Sequence, residues 1–367
     1  MTRSAQRPSN VSLKERLIRQ IRMDGPMPVS AYMQTCLHDP ADGYYANGAG
    51  LGKDFITAPE TSQMFGELLG LWLVNEWREM GEPDNLVLAE MGPGRGTLMA
   101  DMLRTISPFL PDGMLRICLV EASPVLRDIQ RQTLAKWDPN AHVSGIGGKS
   151  GIPGGPMLLI ANEFLDCLPA RQFVQEGENW RERIVGLGEN GELAFGVDRS
   201  DLTAKAASDM PPVHLAAEAE LQPGLAGLID ALIVRHEQGA PFHALFIDYG
   251  PADRSPGDTL RAYKNGNQVD PLACPGEADL TADVDFARLA RLAAKAGLHV
   301  SGPVTQSAFL ARLGLQERLN ALIKAHPEQA EALFAGAQKL VDPGAMGERF
   351  KVICLSSPGL PAPAGFG

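Results

Sequence analysis

The spacing of apolar residues along the chain changes character at residue 86. Before it, the apolar positions recur every three or four residues. That period predicts an amphipathic helix over 11–24 and a second, shorter helix from Ser30. A turn-rich stretch, HDPADGYYANGAGLGKDF, follows. Helical spacing then resumes in TAPETSQMFGELLGLWLVNEWREMG, where Phe65, Leu68, Leu69, Trp72, Leu73 and Met80 share one period and Gly81 stops it. Thr57 and Glu60 have the spacing of a capping box, and Pro59 lies in the first turn, so one helix is expected from there to Gly81. Phe65, Trp72 and Trp77 read as packing residues of that helix.

From residue 86 onward, short apolar runs alternate with helical segments. The runs are 86–89, 116–120, 157–161 and 244–247, and the helices fall at about 97–106, 123–137 and 220–237. The runs are apolar throughout rather than alternating, as expected of central strands covered on both faces. The series predicts an α/β fold with a Rossmann-like, doubly wound parallel sheet. Three stretches depart from it. Residues 171–197 read as an antiparallel meander, 250–281 as a long loop rich in Gly, Pro and Asp, and 305–345 as a helical insertion before a last strand, RFKVICLSS. The expected organisation is therefore an N-terminal helical lid segment, 1–84, and a core of 85–170 and 240–356. The core carries the 250–281 loop and the 305–345 helices, and 171–239 forms an inserted meander plus helix. A loop of that length inside a compact domain is usually functional.

Composition narrows the possible partners. With 367 residues, 44% hydrophobic and 21% charged, the chain can bury a sizeable core. Its net charge of −11 argues against nucleic acid and anionic membrane surfaces as partners. It suits a basic protein or peptide. No apolar run is long enough for a membrane-spanning helix, and the first residues lack the apolar stretch of a secretory signal. The five cysteines, Cys36, Cys118, Cys167, Cys274 and Cys354, form no C-x-x-C, and the seven histidines show no metal-ligand spacing. Reduced thiols, no metal and a cytoplasmic setting are expected.

The chemistry concentrates in LVLAEMGPGRGTLMADML. A P-loop requires a lysine that this stretch lacks, and a dinucleotide loop requires G-x-G-x-x-G. Here Gly92, Gly94 and Gly96 are spaced G-x-G-x-G, with Pro93 between the first two and Glu90 two residues ahead. A carboxylate would repel a pyrophosphate but suits a cationic ligand such as an amino-acid ammonium or a sulfonium. Glu121, followed by Ala122 at the tip of the second run, is placed to accept hydrogen bonds from ribose hydroxyls. Asn162, Glu163 and Asp248 end the third and fourth runs, so the polar residues gather where open α/β sheets bind ligands. E-x-G-x-G-x-G with a second-strand acid is the usual signature of an S-adenosylmethionine site, the glycines allowing the ligand to lie against the backbone.

GKDFITAPETSQMFGELLG, AEMGPGRGTLMADMLR, LVEASPVLRDIQ, NEFLDCLP, FIDYG, GEADLTADVDF and MGERFKV follow one another over roughly residues 15 to 356. In these motifs and their order the chain resembles the MidA-like family of S-adenosylmethionine-dependent methyltransferases. The eukaryotic members of that family are mitochondrial protein arginine methyltransferases needed for assembly of respiratory complex I. The resemblance implies a class I methyltransferase fold and S-adenosyl-L-methionine as cofactor. It also implies an arginine-bearing protein substrate such as a complex I subunit, and the mitochondrial matrix as location should the source be eukaryotic. Gly92, Pro93, Gly94, Gly96 and Glu121 match the cofactor motif. The stretch from Asp54 to Glu60 matches the one ahead of the long helix. Two positions depart: Gly266 stands where many members have histidine, and Lys53 where many have arginine.

If arginine is the acceptor, its guanidinium stays protonated, and a carboxylate must align it and deal with the departing proton. Glu163 is the first candidate, with Asp166 as a second acid and Asn162 as an orienting amide. Asp166 could instead cap a helix starting at LDCLP. The start of the helix at Thr57 and Pro59 could face the cofactor's carboxylate, with Asp54 reaching in from the preceding loop. Two other readings stay open: a methyltransferase with a small-molecule or different protein acceptor, and an S-adenosylmethionine-binding assembly factor without turnover.

Overall fold

A computed structural model describes residues 11–46, 57–111, 113–138, 141–145, 151–200, 217–253 and 257–367. The chain forms two compact units. One comprises Ile56–Leu165, Ala226–Arg254 and Phe286–Gly367, and the other Met1–Phe55, Asp166–Leu225 and Ser255–Asp285.

The first unit is built on a seven-stranded sheet: β1 (Val87–Met91), β2 (Arg116–Val120), β3 (His142–Ser144), β4 (Met157–Asn162), β5 (Phe242–Tyr249), β6 (His299–Thr305) and β7 (Phe350–Ser356). Their order is β3-β2-β1-β4-β5-β7-β6. All pairs are parallel except those of β7, which runs antiparallel to both β5 and β6. This is the doubly wound arrangement, with strand order reversing between β1 and β4. The apolar runs end up as central strands, and every residue of β4 is buried. Two strands have no such run. β3 is only three residues long, and β6 is half-exposed and breaks register between Ser301 and Val304.

Helices Gln63–Glu79 and Thr97–Ile106 cover one face of the sheet. Phe65, Leu68, Trp72, Met99 and Met102 share a core cluster with Leu88, Ile117, Leu158 and Leu245. The helices touch closely at Gly66, where an added Cβ would sit 2.6 Å from Cβ of Asp101. The 305–345 insertion is helical as expected, forming Gln306–Arg312, Leu315–Ala325 and Ala330–Val341. It is tied down by Arg318, whose guanidinium donates to both Glu67 oxygens at 2.8 and 2.9 Å.

The expected single helix from Thr57 to Gly81 is two helices, Ala58–Thr61 and Gln63–Glu79, separated by Ser62 in an extended conformation. Ser62 Oγ accepts from the Met64 amide and starts the long helix. The capping box at Thr57 does not form: Thr57 is the N-cap residue, but its side chain makes no capping bond. A capping box does form at Ser12 and Glu15, starting helix Leu13–Asp24.

The second unit contains that helix, Val29–His38 and the meander. Strands Arg171–Glu176, Asn179–Leu187 and Leu193–Asp198 pair antiparallel, and Glu218–Leu221 joins at Arg171–Glu176. The last strand takes the start of the segment expected to be helical, so the helix there is Gly224–Glu237. Residues 250–281 are not structureless either. Arg261–Lys264 pairs with Asn267–Val269 and with Asp279–Thr281. Asn265 and Gly266 turn the first hairpin with φ of 52° and 73°, the conformation that a two-residue Asn-Gly turn supplies at little cost. Gly266, the departure from the family pattern, is thus a turn residue here. Tyr32, Met33, Leu37, Val185, Ala262 and Leu280 form this unit's core.

Gly66→Ala should lower unfolding stability by about 1–3 kcal/mol through the clash with Asp101. The expected reading is a lower denaturant midpoint at unchanged slope.

Candidate active site

The sheet brings most of the sequence candidates to one place, the carboxyl ends of β1, β2 and β4. After Met91 the chain turns through Gly92, Gly94 and Gly96, whose φ angles are 65°, 54° and 79°. For a residue with a Cβ that region costs roughly 1–2 kcal/mol each, so three within five residues make a backbone that glycine alone adopts readily. Gly96 closes the turn by donating to the Pro93 carbonyl at 2.7 Å and serves as the N-cap of helix Thr97–Ile106. At Gly92 a Cβ would lie 3.0 Å from the ring of Phe164. That buried ring, which the sequence did not single out, walls the loop from the β4 side.

Glu121 ends β2 and is 6% exposed. Its carboxylate accepts from the Ser123 amide at 2.8 Å and from Gln130 Nε2 at 3.2 Å. Gln130, fully buried on helix Pro124–Leu134, also donates to the Gly94 carbonyl at 2.7 Å. One side chain therefore ties the glycine turn to the second-strand acid. The Ala122 carbonyl, with that of Glu121, accepts from Arg127. Burial raises the Glu121 carboxyl above its ordinary value, against the opposing donors Ser123 and Gln130.

Glu90 is 3% exposed, and its Oε2 has no hydrogen-bond partner. Burial pushes its carboxyl up to about 8. The Met99 amide, which donates to it, pulls the other way, and Glu121 adds to the rise.

Past β4, Glu163 has a φ of 51°, rare for a residue with a side chain. Its Oε1 accepts from the Ala58 amide at 3.3 Å and from Asn162 Nδ2 at 3.1 Å. The first amide of the short helix that Thr57 and Pro59 begin is therefore directed at Glu163. The conformation is imposed from β5. Asp248, with no exposed surface, accepts from the amides of Phe164 and Leu165 at 3.0 and 2.8 Å and of Tyr249 at 2.9 Å. Asp248 thus anchors the loop after β4 to β5.

Two candidates remain. Asp166 belongs to the other unit, where its carboxylate accepts from the Thr281 hydroxyl at 3.0 Å. No helix starts at LDCLP, so the capping alternative for Asp166 does not apply. Asp54 lies outside the described residues. Among those described, no group of His, Cys, Asp and Glu is disposed to hold a metal ion.

A doubly wound sheet with a glycine turn after β1 and an acid after β2 is a nucleoside-binding arrangement, and comparison with known proteins makes the class specific. Residues 68–304 match the model of a family described as S-adenosyl-L-methionine-dependent methyltransferases, and the chain belongs to that family. It is similar to the mitochondrial protein arginine methyltransferase NDUFAF7 homolog of Drosophila melanogaster, 36% identical over 94% of this chain and 84% of that protein. It is also similar to the mitochondrial protein arginine methyltransferase NDUFAF7 of Homo sapiens, 36% identical over 92% of this chain and 82% of that protein. A Burkholderia thailandensis protein solved with S-adenosyl-homocysteine bound superposes with a TM-score of 0.80 at 26% identity. The match covers 95% of this chain and 92% of that one. The protein is thus an S-adenosylmethionine-dependent methyltransferase with a class I fold.

The residues present fit that cofactor. Unpartnered buried polar atoms collect at this end of the sheet, namely Glu90 Oε2, Gln130 Oε1, Ser144 Oγ and Asn162 Oδ1. Buried polar atoms are normally satisfied, so their concentration beside a Cβ-free turn marks a place prepared for a polar ligand. Gly94→Val, which forces a branched side chain to a φ of 54°, should abolish S-adenosylmethionine binding in calorimetry. Unchanged affinity would remove the turn from the cofactor site.

Proposed function

We infer that the chain is a protein arginine N-methyltransferase in which Glu163 receives the acceptor guanidinium. One observation carries this reading: a carboxylate is held at the switch point of the sheet in a backbone conformation that the surrounding hydrogen bonds impose. Such strain, maintained by a dedicated buried anchor, is a mark of functional positions. The names of the relatives, which are arginine methyltransferases, favour the same acceptor.

S-adenosylmethionine, when bound, supplies an electrophilic methyl group on a sulfonium. The residues proposed to hold it are Glu90, Gly92, Pro93, Gly94, Gly96, Glu121 and Ala122, with Thr57 and Pro59 from the short helix and Asp54 ahead of it. An arginine side chain is protonated at any working pH. Glu163 can accept two of its N–H groups side by side, which fixes the plane of the guanidinium and leaves the remaining nitrogen free to face the methyl group. As that nitrogen bonds the methyl carbon, the carbon–sulfur bond would break and leave S-adenosylhomocysteine as a neutral thioether, and Glu163 stabilises the positive charge on the guanidinium until the nitrogen's proton passes to solvent. The Ala58 amide orients the Glu163 carboxylate, and Asn162 does the same from the neighbouring position. Asp166 is proposed as a second acid for the substrate.

The acceptor is proposed to be an arginine-bearing protein, with a subunit of respiratory complex I as the particular expectation. The net charge of −11 favours a basic partner. The proposed location is the cytoplasm of a bacterial cell, or the mitochondrial matrix should the source be eukaryotic; the relatives are named as mitochondrial proteins. No helix among the described residues is long and apolar enough to cross a membrane. The five cysteines are free thiols, which suits a reducing compartment.

Glu163→Gln should keep S-adenosylmethionine affinity within a few-fold and lower turnover by at least about a hundredfold, measured by calorimetry and single-turnover transfer. Normal turnover would overturn the assignment. Labelled S-adenosylmethionine incubated with a cell lysate should place label on arginine of a protein band. Label in small molecules or on another residue type would overturn the acceptor class.

A further inference from the structure

Glu90 has an arrangement that the hydrogen bonding of the protein alone leaves incomplete. It lies within β1, and its neighbours in register are Leu119 on β2 and Ile160 on β4. Its Oε2 is buried and unpartnered, while the Met99 amide donates to the carboxyl group. No cation faces it. Just past β2 is Glu121, whose charge repels its own. β4 carries no ionisable side chain. On helix Thr97–Ile106, Asp101 is paired with Arg104 at 2.8 Å. On helix Gln63–Glu79, Glu67 is paired with Arg318 at 2.8 Å, and Glu76 lies 3.7 Å from His243. An ionised carboxylate buried beside a second acid, with one oxygen unsolvated, is unfavourable. Two conditions relieve it: a proton on the carboxyl group or a positive charge brought in with a ligand.

We propose that Glu90 carries a proton when the cleft holds no ligand and gives it up to solvent when the cationic end of the methyl donor enters, so that donor binding is coupled to proton release. The inference rests on the reading of this cleft as the donor site. The exchange is balanced: a neutral carboxylic acid and a cationic ligand become a carboxylate–cation pair and one free proton. Its effect is that Glu90 adds no net charge to the empty, already acidic cleft but offers a full negative charge once the donor is in place. A donor analogue without positive charge cannot draw out the proton, so the residue discriminates on charge. Two groups of the donor are cationic, the sulfonium and the amino-acid ammonium. S-adenosylhomocysteine keeps the ammonium and lacks the sulfonium, so it tells the two apart.

The test is calorimetric binding of S-adenosylmethionine between pH 6 and 7, in buffers of different ionisation enthalpy. That range lies below the titration of an α-amino group at about 7.7–8.0. Burial of Glu90 pushes its carboxyl up to about 8, so the expected release is about one proton, with affinity rising about tenfold per pH unit. Glu90→Gln should bind with a heat independent of buffer. Release with S-adenosylhomocysteine as well assigns the coupling to the ammonium, and release with S-adenosylmethionine only assigns it to the sulfonium; either supports the inference. Tight binding by the natural protein with no proton released would overturn it and leave the donor site standing, as would equal release from Glu90→Gln. Absence of any binding by the natural protein would overturn the donor-site reading itself and the coupling with it.

If Glu90→Gln does not bind, the ligand-free proteins carry the test. A carboxyl with a folded value above its ordinary 4.5 stabilises the fold below that value and loses this contribution as pH rises through about 8. The natural protein should therefore lose thermal stability between those values more steeply than Glu90→Gln. Parallel profiles would overturn the inference.

Discussion

Asp248 accepts three backbone amides with a side chain that has no contact with solvent, and the candidate site depends on that anchor. A buried carboxylate is tolerated only when hydrogen bonds satisfy it, so the loop after β4 must keep the amides of Phe164 and Leu165 turned toward β5. Holding them there puts Glu163 at positive φ and sets the ring of Phe164 against Gly92. The glycine turn is then limited on one side by that ring and tied on the other to Gln130, which also donates to Glu121. A short chain of contacts thus runs from β5 across the switch point to the end of β2. It joins the residues proposed for the acceptor to those proposed for the donor.

The acids of this unit divide by what satisfies them. Asp248 and Glu121 are held by amides, and Glu67 is paired with Arg318. Glu76, wholly buried, accepts from Asn75 and from the Ala364 amide, and burial raises its carboxyl. Its neighbour His243 is pushed down to about 4 and stays neutral. Glu90, like Glu76, leaves one oxygen without a hydrogen bond, but Glu76 Oε2 has His243 3.7 Å away, whereas the charged group that acts on Glu90 is a second acid, Glu121. A structural carboxylate acquires its donors as the chain folds, because isolation in a low dielectric is too costly to maintain. One that lacks them at the edge of a cleft is suited to a ligand that brings charge.

Much of this was legible in the residues. The four apolar runs became central strands because complete burial on both faces leaves no room for polar alternation. The E-x-G-x-G-x-G stretch announced a cationic, Cβ-excluding ligand, since a carboxylate and bare backbone have few other combined uses. What escaped reading were features without a local pattern. β3 is too short to show a period and β6 too exposed, and within 250–281 the Asn-Gly hairpin is local while the pairing of Arg261–Lys264 with Asp279–Thr281 spans a longer separation. At 57–62 a capping-box pattern was present, but the Glu60 amide it would have served donates to the Thr57 carbonyl, and the neighbouring Ala58 amide donates to Glu163. Gln130 looks in sequence like any polar residue on a helix, and only its burial beside Gly94 shows its role.

The sequence by itself determined the sheet class, the glycine turn, the acids at the strand ends and the family motifs, because each depends on residue type and near-neighbour spacing. Tertiary structure decided what those acids do. Asp248 and Glu163 both close strands and are chemically alike, yet one is sealed against backbone amides and the other is held at the switch point in a rare conformation. Glu90 and Glu121 likewise differ by their donors rather than by anything in their own segments. The behaviour of a carboxylate is set by the solvent, amides and charges around it, and those arrive from strands and helices distant in the chain.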